Sequence, residues 1–288
     1  MSVSRLYCEG VSNGPDAAVL RGILSGFHIR INPVGTKHGL VRRVLGAKDI
    51  SKSVACLRDR DFDFDDDLSL SNSPSTWSVK ENDKETQLGW YWERKEIENY
   101  LIDPEVVKRV FGFTGQQLRK YNETLKKSAK LIAHYTAARI TLSHSHRRIL
   151  PLDNFWGEEK DDGYHHFPKE KGLKKQDCYS IALKNVQTYN ECLNVPKESI
   201  KEKFEPLCQE CNPGGERFEN FLTFFSGKDL LYGMRDSLKK IMSLPASKPL
   251  VKLFLNRILE GIEETDEDVW TWIPEWEQLR KLIHNYAP

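Results

Sequence analysis

The stretch Ser53-Val54-Ala55-Cys56-Leu57-Arg58-Asp59-Arg60-Asp61-Phe62-Asp63 decides how this 288-residue chain is read. Val54 to Leu57 is a short apolar run of the kind that forms a buried strand, and it ends directly in alternating carboxylates. On an extended backbone residues i and i+2 point the same way, so the spacing predicts Asp59, Asp61 and Asp63 on one face at the strand exit. In open α/β sheets ligands gather outside the carboxyl ends of the strands. Crowded carboxylates repel one another unless protons or a cation compensate, and oxygen-rich sites suit Mg²⁺ or Mn²⁺. A run of charge is also often no more than a solvated face, so the stretch needs support from the rest of the chain.

That support comes from its surroundings. Leu6-Tyr7-Cys8 reads as a first strand ending at Glu9-Gly10, and Val11 to Pro15 is a turn. Asp16 heads a helix with Val19, Leu20, Ile23 and Leu24 at helical spacing, stopped at Gly26. His28 to Val34 alternates as a second strand, His38 to Ala47 is a second helix, and Val54 to Leu57 is the third strand. Strand, helix, strand, helix, strand with short connections predicts a parallel sheet covered by helices. A polar loop over residues 65–84 comes next, interrupted by a brief strand at Thr76 to Val79. Gln87 to Trp92 reads as a further strand, and Lys95 to Leu101 starts a helix that stops before Pro104. The expected division is an α/β catalytic domain over 1–110 and a helical region over 111–288. Helices are expected at Asn122 to Leu142, Tyr179 to Leu193, Lys197 to Gln209, Arg217 to Phe225, Lys228 to Met242, Pro249 to Ile262 and Trp276 to Tyr286. Asn154 to Lys175 reads as a mobile loop.

Composition sets outer limits. Hydrophobic residues make up 39 %, enough for a packed core, and no apolar run approaches a membrane span. The N-terminal stretch has no signal-peptide pattern, and the six cysteines form no framework, so a cytoplasmic protein with free thiols is expected. The net charge of +1 hides an acidic stretch at 59–67 and basic ones at 119–130 and 139–148. A near-neutral total neither supports nor excludes a nucleic-acid partner; a local basic face would matter.

Glu9 at the end of strand one and Asp59-x-Asp61 at the end of strand three are expected to converge at one sheet edge, a pairing more specific than either part. Leu6-Tyr7-Cys8-Glu9-Gly10 with Leu57-Arg58-Asp59-Arg60-Asp61 resembles the TOPRIM domain of topoisomerases, primases and OLD nucleases. Val34-Gly35-Thr36-Lys37 and Arg94-Lys95-Glu96-Ile97-Glu98-Asn99-Tyr100-Leu101 are similar to a TOPRIM subgroup often encoded beside OLD-type ATPases. That subgroup includes the nuclease subunit of the PARIS anti-phage system. The similarity covers about residues 5 to 110, with a later anchor at Gly227-Lys228-Asp229-Leu230-Leu231.

The resemblance implies a compact parallel α/β fold in which Glu9, Asp59 and Asp61 bind one Mg²⁺ or Mn²⁺ ion, with Glu98 assisting a second. Glu96 lies about 200° from Glu98 around a helix, so the two do not share an ion. The usual TOPRIM acid falls at Asn13; Asp16 either supplies it or only caps the helix. Lys228 is the counterpart of the lysine that faces phosphate in OLD nucleases, at a helix start whose amides favour anions. Lys37, Arg60, Arg147 and Arg148 are candidate nucleic-acid contacts. Two ions about 4 Å apart can activate water and stabilise the leaving oxygen of a phosphodiester.

The implied function is a metal-dependent nuclease acting on RNA, tRNA in particular, or on DNA, as a toxic anti-phage effector held in check by an OLD-type ATPase subunit. The alternative is a non-catalytic TOPRIM-like binding or regulatory module with a degenerate metal site. Topoisomerase and primase readings lack their signatures in the helical region. Gly227-Lys228 is not a phosphate loop, because residue 222 is leucine and Asp229 replaces Ser/Thr; no ATP site is expected. Cys208-Gln209-Glu210-Cys211 and His165-His166 lack companion zinc spacing. A homodimer is compatible with cleavage of both strands, although no residue specifies one.

Overall fold

The computed structural model describes residues 2–35, 39–62, 65, 68–81, 84–146, 156, 158–159, 165–168, 173–193, 197–242 and 250–287. It is α/β, with a five-stranded, mostly parallel sheet flanked by helices and a helical region after it. The strands β1 (Arg5–Cys8), β2 (Arg30–Pro33), β3 (Val54–Arg58), β4 (Ser75–Glu81) and β5 (Lys84–Tyr91) are ordered β2-β1-β3-β5-β4. All pairs are parallel except the β4–β5 hairpin, so β1, β2, β3 and β5 end at one edge. The helices α1 (Pro15–Ile23) and α2 (Leu40–Ile50) connect the first three strands.

All five residues of β3 are buried, the mark of a central strand covered on both faces. On one face Val54, Cys56 and Leu88 pack against Leu40 and Val44 of α2. The apolar run at 54–57 is thus the middle of the core. Gly89 on β5 lies directly opposite Cys56, with a positive φ of 156°. A Cβ there would stand 1.9 Å from the Cys56 carbonyl oxygen, so a side chain cannot enter without parting the two strands.

After β5 come α3 (Glu98–Leu101), α4 (Pro104–Phe111) and the 32-residue α5 (Gly115–His146). The later helices are α6 (Lys175–Leu193), α7 (Lys197–Cys211), α8 (Glu216–Glu219), α9 (Phe221–Phe224), α10 (Gly227–Ile241), α11 (Leu250–Glu264) and α12 (Pro274–His284). The sequence places most of these within a few residues. It misses α4, whose start is set by Asp103 capping the Glu105 N–H at 2.8 Å and by Pro104 in the first turn. The single helix expected at Arg217 to Phe225 is broken at Asn220. Most of the expected loop at 154–175 lies outside the described residues; within it Glu158–Glu159 pairs antiparallel with His165–His166.

The chain divides into two compact units: Met1–Arg60, Ser69–Gly112 and Leu255–Pro288 form one, Asp61–Leu68 and Phe113–Phe254 the other. This grouping places 255–288 with the sheet, whereas the sequence assigns them to the helical region expected over 111–288. The last 34 residues belong with the sheet because α12 and the residues after it pack there. Trp276 is fully buried, the Val3 N–H donates to the Ile283 carbonyl, and the Tyr286 ring meets Trp90 edge-on at 5.5 Å. Among the described residues no helix is long and apolar enough to cross a membrane.

The close approach of β3 and β5 yields a prediction. Gly89→Ala should lower stability by about 3 kcal/mol or more, read from the urea midpoint; an unchanged midpoint would show that the strands can part cheaply.

Candidate active site at the carboxyl edge of the sheet

Parallel pairing of Arg5 with Val54, Leu6 with Ala55 and Tyr7 with Cys56 carries Glu9 to the level of the β3 exit. There the Asp59 backbone N–H donates to Glu9 Oε1 at 3.1 Å. Gly10 exchanges backbone hydrogen bonds with Gly35, at 2.8 and 2.9 Å, which ties the loop after β1 to the loop after β2. Gly10 has φ +80°, and a Cβ on it would lie 3.2 Å from Asp16 Oδ2. A glycine therefore lets the Asp16 carboxylate close on the turn.

The three carboxylates share a neighbourhood. The Cys8 thiol is pushed far up by burial, and the charges of Asp16, Asp59 and Glu9 add to the shift while Arg21 opposes it. Cys56 behind them is pushed up to about 12, again by burial first. Both thiols remain protonated at neutral pH and leave the chemistry to oxygen donors. Asp16 is not a helix cap: the N-cap is Gly14, no side chain caps the helix, and Pro15 starts it. Asn13 is exposed. Of the two positions weighed for the acid at this corner, 13 and 16, it is Asp16 that acts on Cys8 together with Glu9 and Asp59.

Other expected residues fall differently. β3 ends at Arg58, and Asp61 sits in a turn with φ +49°, a left-handed conformation that Asp tolerates better than most residues. The extended i, i+2 alternation therefore stops short of Asp61. Asp63, Lys37, Arg147 and Arg148 lie outside the described residues. Arg60 is 4 % exposed; its guanidinium donates to the Glu93 carbonyl at 2.7 Å and lies 3.8 Å from the Glu93 carboxylate. That burial corrects its assignment as a nucleic-acid contact. Arg58 is likewise buried, its guanidinium 4.9 Å over the Trp77 ring. Asp65, expected in a solvated loop, is wholly buried and meets Arg217 at 3.9 Å. Lys228 sits in the first turn of α10, in the second unit, after Ser226, whose Oγ accepts the Asp229 N–H at 3.3 Å.

Sequence reasoning undervalued the residues just after β5. Glu93, Lys95, Glu96 and Glu98 are all buried, beyond the strand end whose Trp92 N–H donates to the Arg58 carbonyl. Glu98 opens α3 at this edge and is not a surface carboxylate. The Glu93 N–H donates to Glu275 Oε1 at 2.7 Å, and Tyr100 Oη donates to the other oxygen of Glu275. Arg94 pairs with Asp103 at 2.7 Å and lies 4.8 Å over the Tyr100 ring. The resemblance over Arg94–Leu101 points to Glu98, and four charged residues directly follow the apolar end of the strand, but nothing in the sequence marks Glu275, about 180 residues away.

Among the described residues no group of three or more His, Cys, Asp or Glu side chains is arranged so as to hold a metal ion. The donor chemistry nevertheless fits a hard divalent cation, since Glu9, Asp16 and Asp59 offer only carboxylate oxygens. No protein-family model matches the chain, and no curated protein matches it.

Glu275 supplies a pH test. Burial raises its carboxyl from 4.5 to about 7, although the bonds from Tyr100 and the Glu93 N–H and the charge of Arg94 pull it down. Between those values the folded chain holds a proton that the unfolded chain has lost. The stability from this group is therefore full below pH 4.5 and gone above about pH 7. Glu275→Gln should gain stability relative to the parent as pH rises from about 5 to about 8; a constant difference in urea unfolding would contradict this assignment.

Proposed function

We propose that the chain is a TOPRIM-type, metal-dependent phosphodiesterase: a nuclease for RNA, tRNA in particular, or DNA, working as a toxic anti-phage effector under an OLD-type ATPase. The observation that carries this reading is the meeting of Glu9 and Asp59, from separate parallel strands, at the carboxyl edge of the sheet, with Asp16 against the same turn. Substrate, ATPase partner and defence role rest on the sequence resemblance.

Glu9 and Asp59 are the residues that would hold Mg²⁺ or Mn²⁺, with Asp16 beside them. Such an ion, when bound, lowers the pKa of its water and withdraws charge from a phosphodiester oxygen. The chain's own residues do the rest. The Gly10–Gly35 bridge fixes the turn, the Asp59 N–H orients the Glu9 carboxylate, and the protonated Cys8 adds no negative charge to the cluster. Arg60, held by Glu93, anchors the exit of β3 from inside.

A second reading, the non-catalytic module, is favoured by the exposed Asn13 and the turn at Asp61. Cleavage assays separate the two. Glu9→Gln and Asp59→Asn should each fold normally by circular dichroism and lower Mg²⁺-dependent cleavage by roughly three orders of magnitude. Unchanged cleavage by either variant would remove the nuclease site from this edge.

A further inference from the structure

We propose that Arg139 is a positioning residue that ties the segment after Asp61 to the helix start carrying Lys228. The inference rests on the proposed nuclease function and on the roles that the sequence resemblance implies for Asp61 and Lys228, and its contacts all lie within the second unit. Arg139 projects from α5 with its guanidinium 4.3 Å over the ring of Phe62, the residue next to Asp61. Its Nη1 lies 2.6 Å from Oδ2 of Asp229, the residue next to Lys228. Phe62 is 2 % and Asp229 2 % exposed. One guanidinium thus grips the immediate neighbour of each expected site residue.

The surrounding contacts give the clamp a rigid base. Ser143, four residues on and so on the same face of α5, donates to the Phe62 carbonyl at 2.6 Å. Arg217 donates to the Asp65 carbonyl at 2.5 Å. On the α10 side, Ser128 of α5 donates to the Leu230 carbonyl at 2.6 Å, and Ser226 caps the helix start. Gly233 admits this approach, because a Cβ there would stand 2.1 Å from Ser128 Oγ.

Arginine suits the role. Its planar group stacks on an aromatic face and pairs with a carboxylate at the same time, which a lysine ammonium does less well. A buried ion pair adds little net stability over an apolar pair of the same size. What it supplies is a fixed distance between two backbone segments.

The test is hydrogen exchange by mass spectrometry on the full chain, as parent, Arg139→Lys, Arg139→Met, Asp229→Asn and the Arg139→Met/Asp229→Asn double variant. Asp229→Asn alters only the α10 side, yet should speed exchange in the peptide containing Phe62 by roughly tenfold, and should add nothing in the Arg139→Met background. Arg139→Lys should fall between parent and Arg139→Met. In cleavage assays Arg139→Met should lower kcat by about a hundredfold while KM changes little. Unchanged exchange at Phe62 in Asp229→Asn, or simply additive effects in the double variant, would overturn the link. Failure of the functional reading is distinguishable: if exchange couples as described but Glu9→Gln cleaves normally, the clamp stands and the nuclease assignment falls.

Discussion

Parallel pairing of β1 with β3 is the constraint on which the site depends. With Tyr7 opposite Cys56, the next residues of both strands emerge at one edge, and the Asp59 N–H meets the Glu9 carboxylate without any long connection. A slip of one residue would turn Glu9 to the other face. The register is held by the continuous burial of β3 and by the close approach that Gly89 allows from β5. Carboxylate placement is therefore a consequence of core packing.

Buried charge at the end of β5 is the second determinant. Arg60 pairs with Glu93, Arg94 with Asp103, and Glu275 with Tyr100 and the Glu93 N–H, in a region where an isolated charge would be costly. Because Glu275 belongs to α12, the C-terminal segment is part of the unit that bears the sheet. The exit of β3 and the segment before α3 are thus fixed to a helix that comes at the end of the chain.

Much of this was legible in the residues. The strand–helix alternation up to Leu57, the apolar core strand and the convergence of Glu9 with Asp59 emerge from periodicity and short connections. Local patterning reads contacts between neighbours in sequence, and it fails where a distant residue decides. Arg60 reads as a candidate nucleic-acid contact, but its guanidinium is buried and donates to the Glu93 carbonyl. Asp65 belonged to an acidic run and is instead buried against Arg217, 152 residues later. Asp61 was placed on an extended face by a rule that holds only while the strand continues, and the strand stops three residues before it.

Binding of a divalent cation by Glu9 and Asp59 at the carboxyl edge of the sheet is the proposal on which the functional reading depends. Calorimetric titration of the purified full chain with Mn²⁺ tests it without reference to substrate, partner or turnover. Saturable binding is expected in the parent protein and should be lost in both Glu9→Gln and Asp59→Asn. No specific heat in the parent, or equal binding in all three proteins, would contradict it.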